Sequence, residues 1–250
     1  MNEQRRPAAV AVVVFFFVTA LLMSCASAPR GTPGPAADAL AARIESAVGL
    51  QAFDELAVVS WSFRGKNHWL WDRARGVVRL QNAAGTVLLD TWDHGGFVLD
   101  SEGKDVVDAD RLATAWTLFI NDSFWLNPFA TLRNQDAQRE LVDVDGAPAL
   151  LIRFEGGGIT PGDSYLFFVD DKGLPTRWKL WVQVLPVKGF ETTFEDWVDV
   201  DGARFATSHK GGPGVNVGVA PVKGGKTLQD AAAGEALVDD PFTRLIARRR

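Results

Sequence analysis

Cys25 is the one cysteine of the chain, and it directly follows an apolar segment near the N-terminus. A thiol at this position can carry a covalent group. The charged pair Arg5-Arg6 precedes the apolar residues 8–22, and the small residue Ser24 stands immediately before the cysteine. This order is typical of a secretory signal peptide, and the apolar run is shorter than the ~20 residues that a membrane-spanning helix needs. We therefore predict that residues 1–24 are a cleaved signal peptide.

The sequence Leu22-Met23-Ser24-Cys25 resembles the bacterial lipobox, which ends the signal peptide of lipoproteins. The resemblance implies that Cys25 is the lipid-attachment site and becomes the first residue of the mature protein. Two or three acyl chains, palmitate among them, would then anchor it in a membrane of the cell envelope, because one chain alone binds only marginally. Ala26 stands where enteric inner-membrane lipoproteins carry aspartate, which favours the periplasmic face of the outer membrane over the inner membrane.

Asp90, Asp93 and His94 lie close together in the sequence and carry side chains that are suitable ligands for a cation. A hairpin turn with exposed polar residues is the alternative, and it is favoured because neither His68, His94 nor His209 has a partner at metal-ligand spacing. The chain also contains no phosphate loop and no dinucleotide fingerprint. We therefore expect no metal and no cofactor.

Ser164 and two pairs of carboxylates are the candidates for hydrolytic chemistry. No Gly-x-Ser-x-Gly elbow surrounds Ser164, which follows a Pro-Gly-Asp turn and lacks a strand-to-helix setting. The pairs Glu191 with Glu195 and Asp196 with Asp199 fit solvated strand positions as well as acid–base work. We do not expect an enzyme, and a hydrolase of envelope polymers stays a less favoured alternative.

The composition favours one large β-rich domain that is stabilised by burial of apolar side chains. The chain contains nine Trp and sixteen Phe but only one Tyr. Acylation of Cys25 would leave no thiol for a disulfide. The net charge of −5 and the pI near 5.3 give no general attraction to phosphate backbones, so nucleic acid is not an expected partner. The basic end, Arg248-Arg249-Arg250, is expected to be a solvated tail.

Hydrophobic periodicity predicts the elements that position these residues. Cys25 and the Pro- and Gly-rich residues up to 36 are predicted to form a flexible tether. Apolar residues at helical spacing predict helices over residues 37–50, 108–121 and 242–247. Residues 123–129 are predicted to be a packed connection, because Asn127 precedes Pro128. Eleven strands are predicted from alternation and turn signals, over residues 58–64, 68–72, 77–81, 87–92, 97–100, 140–144, 149–154, 165–170, 176–184, 191–198 and 203–208.

These elements divide the chain into a β-rich domain over residues 37–225 and a C-terminal tail over residues 226–250. Two segments of the domain are rich in glycine, residues 156–163 and 211–225. The first of them lies between two well-patterned strands. It is predicted to be a structural turn, with a ligand clamp as the less favoured alternative.

Several predicted strands carry apolar side chains on both faces. Trp178 and Trp181 are predicted to point to opposite faces of one strand, and Phe194 is predicted to oppose Trp197 on another. Both faces of such a sheet must be covered by helices or filled by a ligand. We predict a mainly β fold with a few helices (α+β), in which a large antiparallel sheet curls into a half-open barrel with helices on its concave side. A β-sandwich is the alternative.

The order of elements over residues 38–210 resembles that of a known family. A helix of sequence Ala-Leu-Ala-Ala-Arg-Ile-Glu-Ser-Ala-Val-Gly leads into Trp61-Ser-Phe63-Arg-Gly65, and a long antiparallel meander broken by helices follows. This order is similar to that of the Lol-type lipoprotein carriers and related envelope lipoproteins. The segment 121–126, Asn-Asp-Ser-Phe-Trp-Leu, also resembles uncharacterised bacterial lipoproteins. The resemblance implies a half-open β-barrel whose concavity binds acyl chains or another hydrophobic ligand.

Six aromatic side chains are the candidate lining of that ligand site: Trp61, Phe63, Trp116, Phe119, Trp178 and Phe194. An ordinary core position is the alternative role of each. The rival function is a non-catalytic scaffold that docks an envelope protein partner through a segment such as residues 124–129. The expected partners are thus the membrane that holds the lipid anchor, a hydrophobic small molecule or lipid, and, in the rival function, a protein.

Overall fold

The computed structural model describes residues 27–154, 162–182, 189–232, 237 and 239–249. The predicted signal peptide, Cys25 and residues 156–161 of the glycine-rich loop lie outside the described residues. The strands β1 to β15, in chain order, are Thr32–Pro33, Val58–Phe63, Asn67–Asp72, Val77–Asn82, Gly85–Asp90, Gly96–Leu99, Asp105–Val106, Ala137–Val144, Ala147–Phe154, Ser164–Val169, Pro175–Trp181, Phe190–Thr193, Glu195–Val200, Ala203–Lys210 and Asn216–Gly225. The helices α1 to α5 are Pro35–Ala47, Leu50–Glu55, Ala109–Leu126, Leu228–Ala231 and Thr243–Arg248, and a 3-10 helix spans Pro128–Arg133.

The strands form two antiparallel sheets that share one bent segment. The six-stranded sheet has the order β1-β8-β9-β10-β11-β12, and the nine-stranded sheet has the order β13-β14-β15-β2-β3-β4-β5-β6-β7. Only Phe194 separates β12 from β13, and the backbone N–H of Lys210 at the end of β14 donates to Thr193 Oγ1 of β12. The outer strands β1 and β7 do not pair with each other, so no closed barrel forms. The fold is mainly β with a few helices and a half-open arrangement, as predicted.

One large core lies between the inner, concave face of both sheets and the helices α1, α2, α3 and the 3-10 helix. A smaller core lies on the opposite, convex face of the nine-stranded sheet. There the described part of the C-terminal segment, residues 226–232, 237 and 239–249, packs on the sheet through buried apolar side chains that include Phe242 and Leu245. Helices therefore cover the concave face, and the predicted tail covers part of the convex one.

Residues 29–33 of the predicted tether are bound to β8 and β9. The backbone N–H of Gly31 donates to Glu140 Oε2 at 2.7 Å, and the guanidinium of Arg153 donates to the carbonyl of Pro29. β1 then pairs with β8. The prediction of a flexible tether is therefore wrong for this part of the chain, because partners more than 100 residues away in sequence hold it.

Helix α3 is longer than the sequence predicts. Asp108 caps it by accepting a hydrogen bond from the backbone N–H of Arg111 at 2.9 Å, and the helix continues to Leu126. The prediction that residues 123–126 form a non-helical connection is wrong, because Phe124 and Trp125 gain core contacts by staying on the helix. The helix ends just before Asn127, the residue whose conformation Pro128 restricts.

Strand β15 lies in the second glycine-rich segment, where the residue pattern predicts no strand. It pairs with β14 on one side and with β2 on the other, so it connects the late strands to the early ones. The alternation of side chains also fails between β12 and β13. Asp196 has a positive φ of 54°, and Trp197 consequently packs in the same core as Phe194, with 6.1 Å between the ring centroids. The prediction that these two rings lie on opposite faces of the sheet is therefore wrong.

Candidate functional site

All six predicted ligand-lining residues lie in or against the concave core. Trp61, Phe119, Trp178 and Phe194 are at most 6% exposed, and the other two are partly buried. Five of them, all except Phe63, belong to two groups of contacting rings that lie in the same core and are connected by helix α3. We call these two groups together the aromatic layer: Trp61, Trp69, Trp71, Trp116, Phe119, Phe124, Trp125, Phe129, Tyr165, Phe167, Trp178 and Phe194. The low exposure of these six side chains fits ordinary core positions. It also fits a ligand site that, without a ligand, is filled by the protein's own rings.

One end of the aromatic layer lies between β2, β3 and helix α3. Trp61 stacks on Trp69 with 5.8 Å between the ring centroids. Phe119 of α3 contacts Trp69 at 5.6 Å and Trp116 at 5.9 Å. Trp116 lies at the rim of the layer, where its indole N–H donates to the carbonyl of His94 at 3.0 Å. This end holds three of the six predicted residues, and Phe63 packs against the same core.

The other end lies on the six-stranded sheet, around Trp178. Trp178 stacks on Tyr165 at 5.8 Å and contacts Phe194 at 5.3 Å. Helix α3 covers these rings with two of its own, since Phe124 and Trp125 lie 5.5 and 5.4 Å from Trp178. The segment predicted to dock a partner protein therefore packs its rings on the core, where Phe129 is buried and Phe124 and Trp125 are partly buried.

Three polar atoms in or beside the aromatic layer are buried without a hydrogen-bond partner among the described residues: Trp61 Nε1, Asn127 Oδ1 and His209 Nε2. His209 is 1% exposed and lies between Trp125 and Phe194. Its Nδ1 is 3.1 Å from the carbonyl of Thr193, and a carbonyl only accepts, so Nδ1 carries the proton and Nε2 is a free acceptor. Burial lowers the pKa of His209 to about 4, so the imidazole is neutral at neutral pH.

Asp122 fixes helix α3 to strand β3. Its side chain is fully buried and accepts from Asn67 Nδ2 at 2.8 Å, Trp69 Nε1 at 2.9 Å and Asn121 Nδ2 at 2.9 Å. These three donors are neutral, and burial raises the pKa of Asp122. The predictions from sequence missed this residue, although helical spacing places Asp122 on the buried stripe of α3 between Phe119 and Leu126.

The predicted cation ligands Asp90 and Asp93 bind the guanidinium groups of the C-terminus. Arg249 donates to Asp90 through Nε and Nη2, each at 2.6 Å, and Arg248 Nη2 donates to Asp93 Oδ1 at 2.7 Å. The hairpin turn is confirmed, but Asp90 is fully buried. Within the described residues, no three His, Cys, Asp or Glu side chains form a group that could hold a metal ion. The prediction of a solvated tail is wrong for Arg249, which is partly buried on Asp90, whereas Arg248 is exposed and Arg250 lies outside the described residues.

The candidates for hydrolytic chemistry do not converge in the part of the chain that the structure describes. Ser164 is buried in β10, opposite Trp181 of β11. Glu191 forms ion pairs with Arg177 and Lys179, while Glu195 pairs with Lys210 at 2.5 Å. Asp199 accepts from the backbone of its own turn. Glu191, Glu195 and Asp199 thus each bind a partner that belongs to the fold.

The chain matches no protein-family model, no curated protein and no solved structure. Among the described helices, none has the length and apolar character that crossing a membrane requires.

Proposed function

We propose that this protein is an envelope lipoprotein, anchored at the outer membrane through Cys25, that binds a lipid or other hydrophobic ligand between helix α3 and the concave face of the sheet. The observation that carries the proposal is the aromatic layer, in which buried polar atoms lack partners. Each such atom is unfavourable by about 1–3 kcal/mol in an apolar interior, and a ligand with a polar end would offer it a partner.

Helix α3 occupies the space that a ligand would take. It contributes Trp116, Phe119, Phe124 and Trp125 to the aromatic layer and is connected to the sheet by the polar contacts of Asp122. Binding would require α3 to move outward, so that the ligand replaces some of its rings. An acyl chain gains about 0.8 kcal/mol for each buried methylene, hence on the order of 10 kcal/mol for a long chain. That gain is of the size needed to offset the contacts of one displaced helix.

The polar end of the ligand would lie near His209. Its Nε2 can accept but not donate, because Nδ1 carries the proton. A ligand hydroxyl or a protonated carboxylic acid would supply the missing donor. A hydrocarbon without such a group would bind through its apolar surface alone.

The test uses the mature chain with Cys25→Ser, exported behind an ordinary signal peptide and recovered without lipid. The probe is N-phenyl-1-naphthylamine, whose fluorescence rises in apolar surroundings, and hexadecanol serves as the competitor. We expect saturable binding of one probe that hexadecanol displaces and that hexadecane displaces more weakly. No saturable binding by a folded, monomeric protein would overturn the proposal.

Trp178 and Trp181 supply a matched pair of variants for this test. They lie on the same strand, but Trp178 faces the concave core and Trp181 packs against the cluster on the other face. We expect Trp178→Leu to weaken probe binding by about tenfold, the equivalent of about 1.4 kcal/mol, and Trp181→Leu to leave it unchanged. Circular dichroism and thermal unfolding establish that both variants are folded, and equal effects would count against the concave site.

Lipid attachment is tested separately. The full chain, expressed with its own N-terminus, is expected to yield an N-terminal peptide whose mass includes the acyl groups on Cys25. The Cys25→Ser variant should lose this mass and its membrane association. An unmodified Cys25 in a membrane-bound protein would exclude the anchor and would leave the ligand site to be judged by the probe titration.

A further inference from the structure

A cavity of about 390 Å³ lies on the convex face of the nine-stranded sheet, beneath the C-terminal segment. Its floor is formed by side chains of β2, β3 and β4, and Leu237 belongs to its cover. The proposed ligand site lies on the concave face, so the sheet itself separates the two. Small-molecule sites typically measure ~300–1,000 Å³, and this cavity is within that range.

Strand register arranges the floor as two rows of three side chains. One row is Ser62, His68 and Gln81, and the other is Ser60, Leu70 and Arg79. Neighbours within such a row have Cβ atoms about 4.5–5.5 Å apart. The floor therefore presents polar groups side by side on rigid strands, with one leucine among them.

Every one of these floor side chains except Leu70 can donate a hydrogen bond, and none of them is acidic. Ser62 is 4% exposed, and its hydroxyl has no hydrogen-bond partner among the described residues. Ser60, which points to the same face of the same strand, shows the ordinary alternative, since its hydroxyl donates to the carbonyl of Ala231 at 2.5 Å. A buried hydroxyl without a partner is unfavourable in the empty protein and favourable when a ligand accepts from it.

We propose that this cavity binds a small organic anion, which would place an oxyanion on Ser62 and Gln81 and its apolar body against Leu70 and Leu237. Arg79 lies in the neighbouring row and already has an interaction of its own, so recognition of the oxyanion rests on the hydroxyl of Ser62 and the amide of Gln81. An oxyanion accepts several hydrogen bonds at once, which matches a floor made of donors. The inference does not depend on the proposed function, because it concerns the opposite face of the sheet.

Two dyes that differ in one group test the proposal on the mature Cys25→Ser chain. 1-Anilinonaphthalene-8-sulfonate carries a sulfonate, and N-phenyl-1-naphthylamine has the same rings without it. We expect the sulfonate dye to bind the cavity at one site, in a manner that added chloride weakens but does not abolish. The uncharged dye should report the concave site alone.

Ser62→Val and Thr86→Val are the matched variants. Thr86 lies opposite Gln81 in the next strand and does not line the cavity. Ser62→Val should weaken binding of the sulfonate dye by about tenfold, the loss expected for one hydrogen bond to a charged group, and should leave the uncharged dye unaffected. Thr86→Val should leave both dyes unaffected. Because valine at position 62 also removes the unpartnered hydroxyl, that ligand-free variant should unfold at the same or a higher temperature.

The result distinguishes the two sites. If the sulfonate dye binds equally to wild type and Ser62→Val, or loses affinity in Trp178→Leu instead, the convex site is excluded. If the uncharged dye fails to bind while the sulfonate dye responds to Ser62→Val, the concave site fails and the convex one stands. Equal affinity of the two dyes for the cavity would overturn the assignment to an anion.

Discussion

Arg249 places its guanidinium on the fully buried carboxylate of Asp90. Its Nη1 also donates to the carbonyl of Arg75 at 2.7 Å, and its Cζ lies 3.7 Å from the centre of the Trp92 ring. Trp92 is 67% exposed, and this contact explains why a large ring lies at the surface there. One residue near the end of the chain thus neutralises the charge beneath the β5–β6 turn.

The first prediction concerns this ion pair. Arg249→Gln should lower the free energy of unfolding by about 3 kcal/mol, because it leaves the buried charge of Asp90 without its main partner. Arg244→Gln is the control in the same C-terminal segment, since the pair between Arg244 and Asp105 is 45% exposed on both sides and should contribute less than about 1 kcal/mol. Urea unfolding at pH 7 measures the free energy of unfolding of both variants. Equal losses would contradict the conclusion that the buried pair stabilises the fold more than the exposed pair.

The second prediction is the acid response of the same pair. Hydrogen bonds from Arg249 lower the pKa of Asp90 from its ordinary 3.8 to about 2. Because the folded pKa lies below the unfolded one, the pair stabilises the protein above about pH 4 and this contribution disappears between about pH 4 and pH 2. The difference in unfolding free energy between wild type and Arg249→Gln should therefore shrink over that interval, and a difference independent of pH would contradict it.

Asp122 gives the third prediction, with the opposite sign. Burial raises its pKa, so its contribution to stability is present below the unfolded pKa and lost as the pH rises through the folded one. Asp122→Asn removes this titration while one amide oxygen can still accept from Asn67 and Trp69. The variant should gain stability relative to wild type as the pH is raised from about 4 to about 8, measured by urea unfolding. A relative stability that falls over this range would show that the charged carboxylate stabilises α3.

At the scale of elements, the turn between α1 and α2 packs closely against the β13–β14 hairpin. Gly49 has a φ of 63°, and a Cβ built on it would lie 2.0 Å from the carbonyl oxygen of Gly202. The backbone N–H of Arg204 also donates to the carbonyl of Val48 at 2.9 Å. The first helix can therefore approach the late strands only because this position lacks a side chain.

The fourth prediction compares two glycines of the same backbone conformation. Gly49→Ala should lower the free energy of unfolding by about 3 kcal/mol, because the energetic cost of the strained φ and the cost of the clash with the backbone are additive. Gly65 has the same φ of 63°, but nothing lies within 4 Å of its Cβ position, so Gly65→Ala should lower it by only about 1 kcal/mol. Chemical denaturation of both variants separates the clash from the strain, and similar losses would argue against the close approach.

Two elements differ from their sequence-based predictions for physical reasons. Helix α3 extends past residue 121 because packing of Phe124 against Trp178 and Tyr165 outweighs the local turn signal. β15 contains Gly218, Gly224 and Gly225, which have poor strand propensity. It forms nevertheless because the strands β14 and β2 on both sides supply hydrogen-bond partners. Neither partner can be read from the local sequence.

At the scale of the whole molecule, the sheet is covered on both faces by segments from opposite ends of the chain. The N-terminal helices lie on the concave face, while Phe242 and Leu245 pack on the convex face against Val58 and Leu88. The ion pairs of Arg249 with Asp90 and of Arg75 with Asp240 hold the second cover in place. The C-terminal segment is therefore part of the domain.

The fifth prediction tests this cover. Removal of residues 226–250 should expose the apolar convex face and cause self-association, since soluble monomers rarely expose a large contiguous apolar patch. Sedimentation velocity measures the outcome. Phe242→Ala is the milder variant, and it should stay monomeric while its free energy of unfolding falls by about 3–5 kcal/mol. A truncated chain that remains monomeric and folds cooperatively would show that the segment is dispensable.

The sequence by itself determined the fold class, the positions of most strands and the two-faced strands that require cover, because side-chain alternation and turn residues act locally. Trp178 and Trp181, for instance, pack on opposite faces as their spacing predicts. Only the tertiary structure decided which groups meet. Arg249 and Asp90, for example, are distant in sequence but form an ion pair. The burial of Asp122 and His209 and the cavity around Ser62 likewise depend on strand order and register, because these decide which residues lie side by side.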